Sequence, residues 1–457
     1  MSLFQTILAR PSIKKHAARF VQIVTVLGKY GIAGWIHEGH PRFVRARFKG
    51  ADGEALAGLP GPVRWRMALA DLGPTFIKLG QMLSTRPDLV GPEMAGELEK
   101  LQSDTPPDRA VVVRRVIAAE LGRPVEDLFA AFENSPFASA SIGQVHRARM
   151  ADGTEVVVKV QHDGIEETVR TDLDIMGTLA EFAAKYDANL RLYQPTRMVA
   201  EFRRSIYREL DFRLEAEHSR TFAENFENAC DPDGEPLRVH FPRVFPNRSS
   251  RRVLTMEYLQ GTSVADPEAL ATRGFDPRSV AKTALGTWIK MILEDGFFHA
   301  DPRAGNLVVL DDGRLGILDG GRVGRVDDQT REHFDAVVLA VLQRDPGELT
   351  DAVLRIATAP PDLDRTFFRA EINDFCGDTL GTSIEKVDVQ RATNEIHAIL
   401  RRYRIVLPSG MAQLIRALAL LEGTSRALTR DFGVLDLLEP HAERIARRRF
   451  SPEHVFR

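Results

Sequence analysis

Two carboxylates and an amide at fixed spacing constrain this chain more than any other feature. Residues 296–321 read GFFHADPRAGNLVVLDDGRLGILDGG, with His299 and Asp301 in a loop, Asn306 five residues after that aspartate, and Asp319 ending a second short apolar run. Asp-Pro and Asp-Asp-Gly are common turn formers, which accounts for each piece separately but not for the joint spacing. The two runs, 307–310 and 315–318, read as short strands in a region that is otherwise helical. With 457 residues the chain has room for two or three folding units, and 44% hydrophobic with 27% charged residues excludes disorder, collagen and coiled-coil arrays.

Protein-kinase catalytic loops share the H-x-D-x-x-x-x-N spacing, followed by a hairpin that ends in a metal-binding aspartate. The chemistry explains the residue types. One carboxylate, Asp301, positions or deprotonates an acceptor hydroxyl, while the amide oxygen of Asn306 and the carboxylate of Asp319 hold Mg²⁺ on the phosphates of ATP. Such a reading requires a strand lysine upstream, and Val156-Val157-Val158-Lys159 supplies it. Lys159 needs a carboxylate partner. The stretch 209–215, read as helix, offers Glu209 and Asp211 on different faces, and Glu215 four beyond Asp211 on the same face.

The strand containing Lys159 pairs in a predicted hairpin, 143–148 with 154–161, across the turn Ala151-Asp152-Gly153. Before it, in place of a Gly-rich phosphate loop, stand Ala138, Ser139, Ala140, Ser141 and Ile142, with Val145 following; alanine and serine are bulkier than glycine, so nucleotide is held differently there. Helices are predicted over 164–185 and 195–228, and strands over 238–244 and 252–258. The last leads to a hinge, where Met256, Glu257 and Leu259 border the adenine site. Only about nine residues separate Asp319 from a helix beginning near Asp328, and no A-P-E element follows, which disfavours a polypeptide acceptor.

Residues 1–107 read as an all-helical extension, with an amphipathic stripe over 12–36 and a helical block over 62–102 closed by Pro106-Pro107. Charge is unevenly spread. The total of −3 hides nine bases against Glu38 in residues 1–50 and five arginines against two glutamates in residues 441–457. Basic ends flank an acidic body, which points to an anionic membrane surface and not to nucleic acid. The most apolar N-terminal stretch is broken by Gln22 and Lys29, so no spanning segment is expected. Cys230 and Cys376 stand alone, without metal or disulfide spacing. A cytoplasmic protein peripheral to a membrane is the expectation.

Ala138–Ser141 followed by Gln144-Val145-His146, the VVVKVQH strand, Glu209-Leu210-Asp211 and HADPRAGN together resemble the UbiB family of atypical kinases. In the extension, Lys78-Leu79-Gly80-Gln81 matches that family's KxGQ signature, and 101–107 matches its LQ…PP element. The resemblance implies an α+β, protein-kinase-like two-lobed fold: a helical extension (1–107) over the peptide-binding site, an N-lobe (108–259) and a helical C-lobe (260–457). It implies that Lys78 and Gln81 project into the active site, with Lys78 near Glu209 or Asp211 and Glu215 left as the partner of Lys159. It also implies ATPase activity in support of ubiquinone or other isoprenoid-lipid metabolism, with quinone-biosynthesis proteins as partners. A nucleotide-binding pseudokinase that serves as scaffold or lipid chaperone, and a kinase of small molecules, are the alternatives. Two departures stand out. Arg303-Ala304 replaces the usual His-Pro, and Asp319-Gly320-Gly321 lacks the phenylalanine of DFG, from which looser metal geometry is expected.

Overall fold

A computed structural model describes residues 15–32, 58–101, 105–186, 191, 194–230, 234–378 and 389–429. The chain divides into two compact units, one of residues 1–212 with 247–255 and one of 213–246 with 256–457.

In the first unit, short helices start where proline falls in the first turn and its missing N–H costs nothing: Gly61–Leu72, Pro74–Leu83, Pro87–Val90 and Pro92–Glu99. Their close approach depends on Gly80, where a Cβ would lie 2.3 Å from Leu101 Cδ1 and 3.0 Å from Leu69 Cδ1. The helix Ala17–Lys29 buries Phe20 and Ile23, and Arg19 forks onto Asp172 through Nε at 2.7 Å and Nη2 at 3.0 Å, the same Nη2 reaching Leu72 O at 2.6 Å. Asp172 is fully buried, so this ion pair ties the N-terminal helix to the helix Ile165–Tyr186. Lys29 is likewise paired, with Asp71 at 2.9 Å.

The sheet of this unit forms as the alternation predicts. Gly143–Arg149 pairs antiparallel with Glu155–Gln161, and Val145 faces Lys159 across the ladder. Ala131–Phe132 and Ala138–Ser139 add to the free side of the first strand, and Val253–Glu257 extends the sheet beyond the second. Gly153, at φ 88°, makes the turn that no L-residue adopts easily. Instead of one helix over 195–228 there are two, Pro195–Glu209 and Phe212–Phe226. Backbone groups at the break find tertiary partners: Gln161 Nε2 donates to Leu210 O at 2.6 Å, and Phe212 N to Arg251 O at 3.0 Å.

The second unit is helical around two small sheets. Leu307–Leu310 and Leu315–Ile317 form the expected hairpin, flanked by Gly261–Ser263 and by Val239–His240, which is all that forms of the strand expected over 238–244 besides a bridge from Val244 to Met256. Phe297–His299 pairs with Val323–Arg325, a ladder too short to be signalled by alternation. The core gathers around Trp288, fully buried with Phe298, Leu307, Ile317 and, from the helix Ser409–Leu428, Leu414 and Leu421. Helices starting at Pro277, Asp328 and Pro346 carry aspartate N-caps that accept first-turn N–H groups. No helix among the described residues is long and apolar enough to cross a membrane.

Candidate active site

His299 ends a strand, and the chain leaves it through Asp301-Pro302 into a single 3₁₀ turn, Ala304–Asn306. The loop is held from within. Asp301 N donates to His299 Nδ1 at 3.2 Å, Arg303 N to Asp301 O at 2.8 Å, and Asn306 Nδ2 to the same carbonyl at 3.0 Å. It is also held from outside, since Trp288 Nε1 donates to His299 O at 2.7 Å and the buried Thr424 hydroxyl to Pro302 O at 2.9 Å. Leu318 N donates to Asn306 O at 2.9 Å, so the hairpin returns the chain to Asn306 one residue before Asp319. The amide nitrogen of Asn306 is engaged by the loop, which turns its oxygen into the remaining donor for a cation.

Asp301 is buried, at 7% exposure. Burial pushes its carboxyl up, but the Arg303 hydrogen bond at 2.7 Å and the Arg322 guanidinium at 3.8 Å outweigh it and hold the group below the usual carboxylate range. His299 is fully buried, and desolvation, opposed by the Asp319 and Asp301 charges, lowers its pKa and keeps it neutral, as its acceptor role toward Asp301 N requires. Arg303 thus stands where a histidine was expected and sets the charge of the loop aspartate. Removing it leaves burial less opposed, so the Asp301 pKa rises and the ionised form is lost from the acid side upward. The acid limb of a turnover–pH profile is expected to move toward neutrality in Arg303→Ala and to return part way in Arg303→Lys; a limb that stays in place excludes this role.

Asp319-Gly320-Gly321 is tied down by neighbouring groups. Asp319 Oδ1 accepts Gly321 N at 2.8 Å, and Gly320 O faces His218 Nδ1 at 3.2 Å. A Cβ on residue 320 would stand 2.6 Å from Ser219 Oγ and 3.4 Å from Glu215 O, so the glycine permits close approach of the helix Phe212–Phe226. Glu215 lies in the first turn of that helix and is buried, with Oε2 near Gly321. The expectation that Glu209, Asp211 and Glu215 share one helix is corrected. Glu209 closes one helix, Asp211 sits in the break, and Glu215 belongs to the next.

In the first unit, Lys159 is half-buried, with its ammonium 5.0 Å from the centre of the Phe212 ring. Lys78 pairs with Glu209, 131 residues on, and Gln81 Nε2 donates to Leu101 O at 3.3 Å. The alanine-rich loop is a tight hairpin: Ala140 N donates to Gly143 O at 2.8 Å, and Ser141 and Ile142 are buried. His162 braces it, with Nε2 2.9 Å from Ala140 O and Nδ1 3.2 Å from Asp108 Oδ2. At the predicted adenine border Met256 and Leu259 are buried. The Glu257 side chain turns instead to His240 at 3.0 Å and to Arg243 N at 3.1 Å, and the His240 bond lowers its pKa. Sequence reasoning did not single out Arg322, Thr424, His218 or His162. Their contacts span up to 122 residues of chain, and no local pattern announces them.

A loop aspartate fixed between two arginines, an amide and a second aspartate on a short hairpin, and a strand lysine opposite an alanine-rich loop define an atypical kinase-like domain. The ABC1 atypical kinase-like domain family matches residues 100–353 and the UbiB helical domain family residues 372–433. The chain belongs to the ABC1/UbiB family of atypical kinase-like proteins. The protein named Probable protein kinase UbiB in Marinobacter nauticus is 31% identical, over 86% of this chain and 72% of its own length. Protein ACTIVITY OF BC1 COMPLEX KINASE 1, chloroplastic, of Arabidopsis thaliana is 31% identical over 95% and 61%, and an uncharacterized Synechocystis protein 32% over 83% and 66%. The chain therefore spans 61% to 72% of the length of these three relatives. A Mycobacterium tuberculosis protein solved in a complex with erythromycin shares the fold, with a TM-score of 0.50 and 24% identity over 81% of this chain and 93% of that one.

Proposed function

We propose that this protein binds ATP with Mg²⁺ and uses Asp301 in phosphoryl transfer or hydrolysis, in support of ubiquinone or other isoprenoid-lipid metabolism at a membrane surface. The single observation that carries the reading is the loop in which Asn306 follows the buried Asp301 by five residues and accepts at its carbonyl from Leu318 N, the residue before Asp319. One amide oxygen and one carboxylate form a sparse, hard-oxygen donor set. It suits Mg²⁺, which keeps several waters and takes phosphate oxygens, and it is too small for a zinc or calcium cage. Among the described residues no group of three or more His, Cys, Asp or Glu could hold a metal. When bound, the ion would neutralise charge on the phosphates.

Lys159, facing Val145 across the ladder, is the residue for the α- and β-phosphates, and the Ala138–Ile142 hairpin, braced by His162, is the lid over them. Held below the usual carboxylate range by Arg303 and Arg322, Asp301 is no stronger a base than an ordinary carboxylate, which favours orienting the acceptor hydroxyl or water over stripping its proton. The test is Mg²⁺-dependent ATP affinity and turnover of the wild type against Asp319→Asn. A metal-dependent fall in both supports the reading, whereas no nucleotide binding by the wild type sinks it.

Membrane association rests on the basic ends. Arg19 and Lys29 are paired with Asp172 and Asp71. Lys15 is exposed, and Arg10, Lys14, Arg42, Arg45, Arg47 and Lys49 lie outside the described residues, as does the basic stretch 441–457. At about 1 kcal/mol per base near an anionic leaflet, changing those six to Gln is expected to abolish salt-sensitive binding to phosphatidylserine vesicles. Binding unchanged by the substitutions excludes this surface.

A further inference from the structure

A cleft in the second unit, lined by polar and apolar side chains alike, belongs to none of the machinery above. The helices Pro346–Ile356 and Arg365–Asp378 pack through Leu349, Val353, Phe368 and Ile372, which are 0 to 6% exposed, so their spacing is set by a buried core. Beside that contact they border an open groove of about 630 Å³, a volume within the range of small-ligand sites. Thr350 and Asp351 stand on one wall and Arg365, Thr366, Arg369 and Asn373 on the other.

Both arginines are exposed to solvent on the groove wall. Arg365, Arg369 and Asn373 recur every four residues and share one helix face, so the two guanidinium charges repel each other. Arg365 also occupies the first turn of its helix, at the positive end of the backbone dipole. Neither arginine pairs with a carboxylate among the described residues. Gly347 makes room for one of them, since a Cβ there would lie 2.7 Å from Arg369 Nη2. The nearby Asp345 spends its carboxylate capping Gly347 N at 2.8 Å and Glu348 N at 3.0 Å.

We propose that this cleft binds a hydroxylated phosphomonoester, with the phosphate on Arg365 and Arg369 and a ligand hydroxyl donating to Asp351. Two guanidiniums one turn apart offer paired N–H donors that match phosphate oxygens. Asp351 repels a bare polyanion and selects a ligand that brings a donor beside its charge. The phosphate can come from a free metabolite or from the exposed headgroup of phosphatidic acid.

Calorimetric titration of the full chain with glycerol 3-phosphate is expected to give saturable one-to-one binding. The double variant R365Q with R369Q should weaken it about tenfold or more. The unfolding temperature of the unliganded variant should stay level or rise, because repulsion is relieved; a drop would mark the arginines as structural and overturn the proposal. In Asp351→Asn, inorganic phosphate should bind more tightly and the preference for glycerol 3-phosphate should shrink. Co-sedimentation with phosphatidic acid vesicles separates the two sources: loss in the double variant assigns the headgroup, and no loss assigns the free ester. No saturable binding to the wild type, or equal affinity in the double variant, overturns the proposal.

Discussion

Replacing Asp301 by asparagine is expected to cut Mg²⁺-dependent ATP turnover by between about a hundredfold and ten-thousandfold, the usual range for loss of a positioned acid–base group. The side chain keeps its shape, so the loop bonds through His299 Nδ1, the Asp301 carbonyl and Thr424 stay in place. What changes is charge. Arg303 and Arg322 then face a neutral amide, and the acceptor oxygen loses the anion that orients it. Single-turnover hydrolysis, read beside the affinity for a fluorescent nucleotide, separates the outcomes. Turnover lost with affinity within a few fold is the expected result. Turnover unaffected by the substitution would remove Asp301 from the chemistry and leave the nucleotide-binding scaffold as the better reading.

Gly143→Ala is expected to destabilise the protein by about 1–3 kcal/mol, the cost of overpacking a rigid site, although the same change in an open strand would be favourable. The added Cβ would lie 2.5 Å from Val160 O and 3.1 Å from Gln161 Cα, both backbone atoms that cannot rotate away. The strands must separate at the position where Ala140 N reaches Gly143 O and His162 N reaches Ile142 O. Because this rung anchors the alanine-rich loop, nucleotide affinity should fall with the unfolding temperature. A variant with wild-type stability and affinity would show that the hairpin tolerates a wider spacing.

Much of the active region was legible because its signals are local. The Ala151-Asp152-Gly153 turn and the alternating strands on either side fix one hairpin, Asp311-Asp312-Gly313 fixes the other, and the Asp301, Asn306 and Asp319 spacing follows from chain order. The break after Glu209 was not legible, since neither glycine nor proline marks it. It is made by Gln161 and Arg251, which supply hydrogen bonds from remote segments. The three-residue strands Phe297–His299 and Val323–Arg325 are too short for any periodicity to emerge. The Lys78–Glu209 pair came from family resemblance, because 131 residues separate its members. The missing phenylalanine of DFG was read as a loss of constraint. Ser219 gives it a local steric reason, since its hydroxyl would lie 2.6 Å from a Cβ at position 320.

The bond from Thr424 to Pro302 bears on how this molecule can be divided. Thr424 belongs to the segment matched by the helical-domain family and Pro302 to the segment matched by the kinase-like family. Met411, Leu414 and Leu421 fill the same buried cluster as Trp288 and Phe298. A recombinant fragment ending at residue 353 would carry the Asp301, Asn306 and Asp319 loop yet expose that core face and strand the buried Pro302 carbonyl next to Asp301. The unit of sequence recognition and the unit of cooperative folding do not coincide here. Dissection should therefore proceed by point substitution, with the helix Ser409–Leu428 treated as an internal part of the body that holds Asp301.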